Sequence, residues 1–222
     1  MDAIRIVRMR NWCTPAGAAS LRLAPSISRW YPDPRREARG NVLTGNSTRR
    51  DVWVFAYGSL MWNPGFAFDE ARRAVLHGYH RRLCIWSTTY RGTPEQPGLV
   101  LGLDRGGETA GVAYRAAGRH RRELLAYLFE RELDDGVYEP RLLPVRTDTA
   151  DLKALAFLAD RDQPLYAGAL TFEQTAAAVA RGRGRRGTAR DYLAGVIDHL
   201  AGFGIEEPHL RAILQAADPL QE

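Results

Sequence analysis

The chain has 222 residues, 45% of them hydrophobic, and a formal charge of +5, which suits one substantial core in one domain with a tail. No apolar run reaches the length of a membrane span, so a soluble protein with no membrane partner is expected. The two cysteines, Cys13 and Cys84, form neither a disulfide framework nor a metal cluster, which points to a reducing, cytoplasmic setting.

Residues 1–50 are rich in Arg, Ser, Pro and Gly and lack periodicity. That is the composition of a flexible N-terminal extension, and the folded domain is expected over 51–222. Asp2, Asp33, Glu37 and the scattered prolines argue against a transit peptide.

The next stretch reads Val52-Trp53-Val54-Phe55-Ala56-Tyr57-Gly58-Ser59-Leu60. Its apolar, β-prone residues predict a buried strand over 52–57 that Gly58 breaks. A glycine directly after a strand lets the backbone turn and offer its N–H groups to a bound molecule, and Ser59 adds a hydroxyl beside them. The strand end therefore has the parts of a small anion or oxyanion cradle. Further strands are expected at 74–86 around Gly78, 98–103 and 109–115. Cys84, between Leu83 and Ile85, reads as a small core residue. His77 and His80 are three apart in a strand and so on opposite faces, and no metal is expected.

Arg119 to Gly136 predicts an amphipathic helix over 119–134. Leu124, Leu125, Leu128, Phe129 and Leu133 share one half of it, and Glu123, Glu130 and Asp134 cluster opposite. Glu132 breaks this division, lying four residues after Leu128 and seven after Leu125, near the middle of the apolar stripe. A carboxylate there is either paired with an arginine or held at a raised pKa, where it serves as a general base.

Two more strands are expected at 141–147 and 153–158, then helices near 171–181, 188–202 and 206–216. Thr171 to Gln174 is a capping box, and Thr188 followed by Asp191 marks a second helix start. Strands interrupted by one helix and followed by a helical run indicate an α+β protein. Gly182-Arg183-Gly184-Arg185-Arg186-Gly187 fits G-x-G-x-x-G in letters, but it follows a helix instead of a strand, so a loop is expected in place of a dinucleotide site. No stacking aromatic interrupts this run, and the other arginines are spread along the chain, so a nucleic-acid partner is not expected.

Several of these segments together resemble the ChaC-type gamma-glutamylcyclotransferase family. Phe55 to Leu60 is similar to its FGYGSL signature, Arg91 to Gly98 to its RGxPxxPG loop, and Gly111 to Arg115 to its GVAYR strand. Arg131-Glu132, with Gly136 and Tyr138 following, is similar to its R-E pair, and Gly187, Tyr192-Leu193 and Gly204-Ile205 extend the resemblance over about residues 52 to 215. Two positions depart from it: Ala56 stands for the usual Gly, and Thr89 for a frequent Asp.

The resemblance implies a small mixed β-barrel flanked by helices and an enzyme that cleaves glutathione to 5-oxoproline and Cys-Gly without a cofactor. It implies Glu132 as the catalytic base. Substrate contacts would come from Val54, Phe55, Ala56, Tyr57, Gly58, Ser59 and Leu60, with Arg91 on a substrate carboxylate and Tyr138 orienting Glu132 or the substrate. Two alternatives stay open at this stage. One is the same chemistry on other gamma-glutamyl amino acids or amines, and the other is a non-catalytic binding or regulatory protein. The oligomeric state is not legible.

Overall fold

The computed structural model describes residues 50–133 and 136–218. The expected extension, with Cys13, falls outside the described residues apart from Arg50, and so does Asp134 of the expected helix.

Strand β1 (Val52–Ala56) pairs antiparallel with β3 (Gly98–Ala116), from Val52 opposite Ala116 to Ala56 opposite Val112. On its other side it meets β5 (Asp151–Ala159) in parallel, at Val54 and Leu155. β2 (Glu70–Ser87) runs antiparallel along the whole of β3 and touches β4 (Tyr138–Thr147) at Ala74 and Val75. β4 pairs with β5, and the ladder closes into a barrel in the order β1-β3-β2-β4-β5.

The sequence of β1 reflects this placement. Phe55 and Tyr57 pack with Ala74, Leu76, Leu103 and Ala156 in one buried cluster. Val54 and Ala56, on the opposite face by alternation, are equally enclosed. A strand buried on both faces reads as a continuous apolar run.

The six short strands expected from the sequence are five in the structure, because 98–103 and 109–115 are halves of the single strand β3. Gly106 and Gly107 adopt φ of 103° and 65°, and Gly78 adopts 84° beside a register shift in β2 between His77 and Tyr79. These glycines bend and twist a paired ribbon and do not end it.

Helix α1 (Arg121–Glu132) follows a 3₁₀ turn at Gly118–His120 and is shorter at both ends than expected. Its buried residues are Leu124, Leu125, Leu128 and Phe129, four of the five expected on the stripe, while Leu133 sits half-buried just past the helix end; the Phe129 ring meets Phe157 of β5 edge-on. The capping box is present: Thr171 accepts from the Gln174 N–H at 3.2 Å, and the Gln174 side chain accepts from the Thr171 N–H at 2.9 Å. It opens α2 (Phe172–Arg181), and Thr188 caps α3 (Ala189–Gly202) through the Asp191 N–H at 2.9 Å. With α4 (Pro208–Ala217) these helices form a layer that packs on itself and on β3. The arginine-rich run between α2 and α3, expected as a loop, is a tight hairpin of β6 (Arg183–Gly184) and β7 (Gly187–Thr188). No helix among the described residues is long and apolar enough to cross a membrane.

Candidate active site

The end of β1 is held by an arginine that the sequence reading did not single out. The Arg81 side chain, almost wholly enclosed in β2, donates from Nε to the Tyr57 carbonyl at 2.6 Å and from Nη2 to the Ala110 carbonyl at 2.6 Å. Its Nη1 pairs with Glu207, the residue capping α4. A buried cation is tolerated only when its donors are used, and here they fix the strand end to β3 and to the helical layer. The available signal was Arg81 on the same strand face as Leu83, where a charge has no solvent to face.

Beyond that anchor the chain turns at Gly58 (φ −132°, ψ −134°) into a 3₁₀ turn at Ser59–Met61. Met61 donates to the Gly58 carbonyl at 2.8 Å and Asn63 to the Ser59 carbonyl at 2.9 Å. The turn thus uses its carbonyls, while among the described residues no hydrogen bond takes the N–H of Gly58 or Ser59. A side chain at Gly58 would meet nothing within 4 Å, so the turn has open space beside its first residue.

Helix α1 delivers Glu132 to the same place. Arg131 donates from Nη2 to Ser59 Oγ at 2.9 Å and from Nη1 to the Asn63 carbonyl at 2.7 Å and the Tyr127 hydroxyl at 2.8 Å. Its Nε lies 3.0 Å from Glu132 Oε1. One guanidinium therefore ties the strand-end turn to the carboxylate. The side chain of Glu132 is 17% exposed, and burial pushes its pKa above the ordinary carboxylate value, opposed by the charge and hydrogen bond of Arg131. Its position in the last turn of α1 adds the negative end of the helix dipole, which also disfavours the charged form.

Three buried tyrosines lie within reach of the charge of this carboxylate. Tyr138, at the start of β4, donates its hydroxyl to the Leu101 carbonyl at 2.7 Å, and the Leu101 N–H donates to the Tyr192 hydroxyl of α3 at 3.2 Å. Burial raises the pKa of Tyr57 and Tyr138 well above the ordinary value and that of Tyr192 to about 12, and the negative charge of Glu132 adds to each. All three hydroxyls stay neutral and able to donate. The Arg91 guanidinium lies 5.3 Å from the centre of the Tyr192 ring, in cation–π contact, and its Nη1 donates to the Arg186 carbonyl at 2.5 Å.

The structure thus brings Tyr57, Gly58, Ser59, Glu132, Tyr138 and Arg91 to one end of the barrel. Val54, Phe55 and Ala56 are fully enclosed and Leu60 is 5% exposed; their side chains support the strand end from the core. The Tyr138 hydroxyl is committed to Leu101, which leaves Arg131 as the group in direct contact with Glu132. Arg131 and Tyr192 stood in the motifs read from the sequence without a role assigned to them. Among the described residues no group of three His, Cys, Asp or Glu is placed to hold a metal. A cleft of about 530 Å³, lined by Arg73, Gly111, Arg146, Thr147 and Glu206 among others, lies elsewhere and takes no residue from this site.

Comparison with known proteins gives the following. Residues 52–218 match the family described as ChaC-like protein. The glutathione-specific gamma-glutamylcyclotransferase of Escherichia coli is 33% identical over 86% of this chain and 83% of its own length. Glutathione-specific gamma-glutamylcyclotransferase 1 of Mus musculus is 36% identical over 79% of this chain and 82% of its own. Among solved structures, the yeast gamma-glutamyl cyclotransferase specific to glutathione superposes with a TM-score of 0.69 at 24% identity, covering 78% of this chain and all of that one.

Proposed function

This chain belongs to the ChaC-like protein family, and we propose that it is a glutathione-specific gamma-glutamylcyclotransferase in which the substrate's own amine opens its gamma-amide. The observation that carries this reading is the enclosed carboxylate of Glu132, joined through Arg131 to a strand-end turn with open space beside Gly58.

A gamma-glutamyl amide contains its nucleophile, the alpha-amino group, so the protein supplies no nucleophile. Folding the glutamyl portion brings the amine to the gamma-carbonyl carbon, and a well-oriented intramolecular attack of this kind is strongly favoured. Glu132 takes a proton from the ammonium and frees the attacking lone pair. As the new C–N bond forms, the carbonyl oxygen becomes an oxyanion that the N–H groups of Tyr57, Gly58 and Ser59 stabilise. The bond to the cysteinyl nitrogen then breaks as Glu132 gives its proton to that leaving nitrogen, the ring nitrogen loses its second proton through Glu132 to the released amine, and 5-oxoproline and Cys-Gly separate. Arg91 holds a substrate carboxylate. The buried free thiol of Cys84 fits a reducing, cytoplasmic setting.

Incubation of the purified protein with glutathione tests this. 5-Oxoproline and Cys-Gly should appear in equal amounts at a rate unaffected by EDTA. Free glutamate as the product would mean that water attacks, and would overturn the intramolecular step. 5-Oxoproline from another gamma-glutamyl compound, with none from glutathione, would keep the chemistry and change the substrate.

A further inference from the structure

The hairpin between α2 and α3 gathers positive charge at the edge of the site, and the only carboxylate acting on that charge among the described residues is Asp191, which reaches Arg91 without forming an ion pair. Its two-residue tip is Arg185–Arg186, between the paired positions Gly184 and Gly187. Both guanidinium groups lie over the Tyr90 ring, at 5.9 Å for Arg185 and 4.4 Å for Arg186. The hairpin backbone is joined to the segment before Arg91, since the Arg185 N–H donates to the Thr89 carbonyl at 3.0 Å and the Arg186 N–H to the Tyr90 carbonyl at 2.9 Å. Arg91 returns the contact through the Arg186 carbonyl. The fit leaves no slack: a Cβ on Gly184 would fall 2.6–2.7 Å from the backbone of Tyr90, Arg91 and Gly92.

Three arginines, 91, 185 and 186, are thus fixed in one patch. Among the described residues none of them forms an ion pair, whereas Arg81, Arg82, Arg115, Arg131, Arg161 and Arg190 all do. Arg185 and Arg186 are exposed. Like charges repel when held together, so a patch held by stacking and carbonyl contacts, with no ion-paired carboxylate and only Asp191 acting on Arg91 from farther off, is arranged for an anion that arrives from solution.

We propose that Arg185 and Arg186 bind the glycyl carboxylate of glutathione, and that the hairpin is what lets the enzyme prefer the tripeptide over shorter gamma-glutamyl compounds. This rests on the cyclotransferase reading above. The glutamyl amine must lie at Glu132 and the gamma-carbonyl at the Gly58 turn, so the cysteinyl-glycine portion points outward. The glycyl carboxylate is the anionic group farthest from the reacting amine. Arg91, beside the Tyr192 ring and bonded to Arg186 of the tip, links the inner site to this outer patch.

The test compares glutathione with gamma-glutamylcysteine, which lacks the glycine, and with glutathione esterified at the glycyl carboxylate, using wild type, Arg185→Gln/Arg186→Gln and Arg185→Lys/Arg186→Lys. Wild type should prefer glutathione over either analogue in kcat/KM by about 10- to 100-fold, the range of one or two charge-assisted hydrogen bonds. The glutamine variant should lose that preference through a raised KM for glutathione, with kcat and both analogues little changed, and the lysine variant should recover part of it. An unchanged preference, or an equal fall on all three substrates, would overturn the proposal, the second outcome marking the hairpin as structural only. Calorimetric binding of glutathione and its ester in a Glu132→Gln background separates this from the cyclotransferase reading. If wild type forms no 5-oxoproline from any of the three, that reading fails, and weaker binding of the ester that disappears in the glutamine variant still upholds the carboxylate site. No discrimination between glutathione and ester in that background overturns it.

Discussion

Glu132 ends α1 under opposing influences: burial and the helix terminus disfavour its charge, and Arg131 favours it. Because its pKa is higher folded than unfolded, the folded state loses stability as pH rises from the ordinary glutamate value through the raised one. Catalysis moves the other way, since only the ionised carboxylate accepts a proton. Glu132→Gln should therefore melt no lower than wild type at neutral pH, and any advantage should vanish below the ordinary glutamate value. Its turnover should fall by about 10²–10⁴-fold. Turnover within a few-fold of wild type would remove Glu132 from the mechanism. Arg131→Met takes away the charge that holds the Glu132 pKa down, so the acidic limb of the kcat/KM profile should shift to higher pH. A variant that lowers activity evenly at all pH values would show that Arg131 acts only as a tether between α1 and Ser59.

The segments that carry the site are short, and they stay in place by close backbone packing more than by regular structure. The loop joining β2 to β3 closes on itself at Gly92, where a Cβ would fall 2.1 Å from the Gly98 nitrogen and 2.5 Å from the Ser87 carbonyl oxygen. Backbone cannot give way as a side chain end can, so Gly92→Ala should cost about 1–3 kcal/mol, read as a lower denaturant midpoint. It should also raise KM for glutathione by displacing Arg91. A normal KM in a destabilised protein would separate Arg91 from substrate binding. Gly58→Ala is the contrasting case. Nothing described in the protein lies within 4 Å of the added methyl, so melting should change little while turnover falls, because the methyl enters the open space beside the turn where the proposed mechanism seats the reacting carbonyl.

For the whole molecule, the first side chain among the described residues that ties the chain to the barrel is Asp51, which accepts from the Gly118 N–H at 3.1 Å and pairs with Arg115 at 2.6 Å. A chain starting at Arg50 should unfold cooperatively and turn glutathione over like the full chain. One starting at Val52 loses both contacts and should melt lower, by about 2–4 °C per kcal/mol lost in a protein of this size. If the chain starting at Arg50 lost both fold and activity, the domain boundary would lie further upstream.

Much of this protein was legible in its sequence. The apolar run ending at Gly58, the carboxylate on the apolar stripe of α1 and the caps at Thr171 and Thr188 are local patterns, set by the period of a strand or helix and by the valence of a terminal N–H, and each stands where its pattern placed it. What the sequence did not decide depended on partners distant along the chain. Two strands read as separate are one, because Gly106 bends beside Gly78 within a ribbon whose pairing only the barrel defines. Arg81 became an anchor only when Tyr57, Ala110 and Glu207 met around it. The arginine tip read as a plain loop, since its meaning lies in Tyr90 and Arg91, some 95 residues earlier in the chain. Periodicity tells a residue which face it takes, and tertiary packing alone supplies the charge, ring or carbonyl that waits on that face.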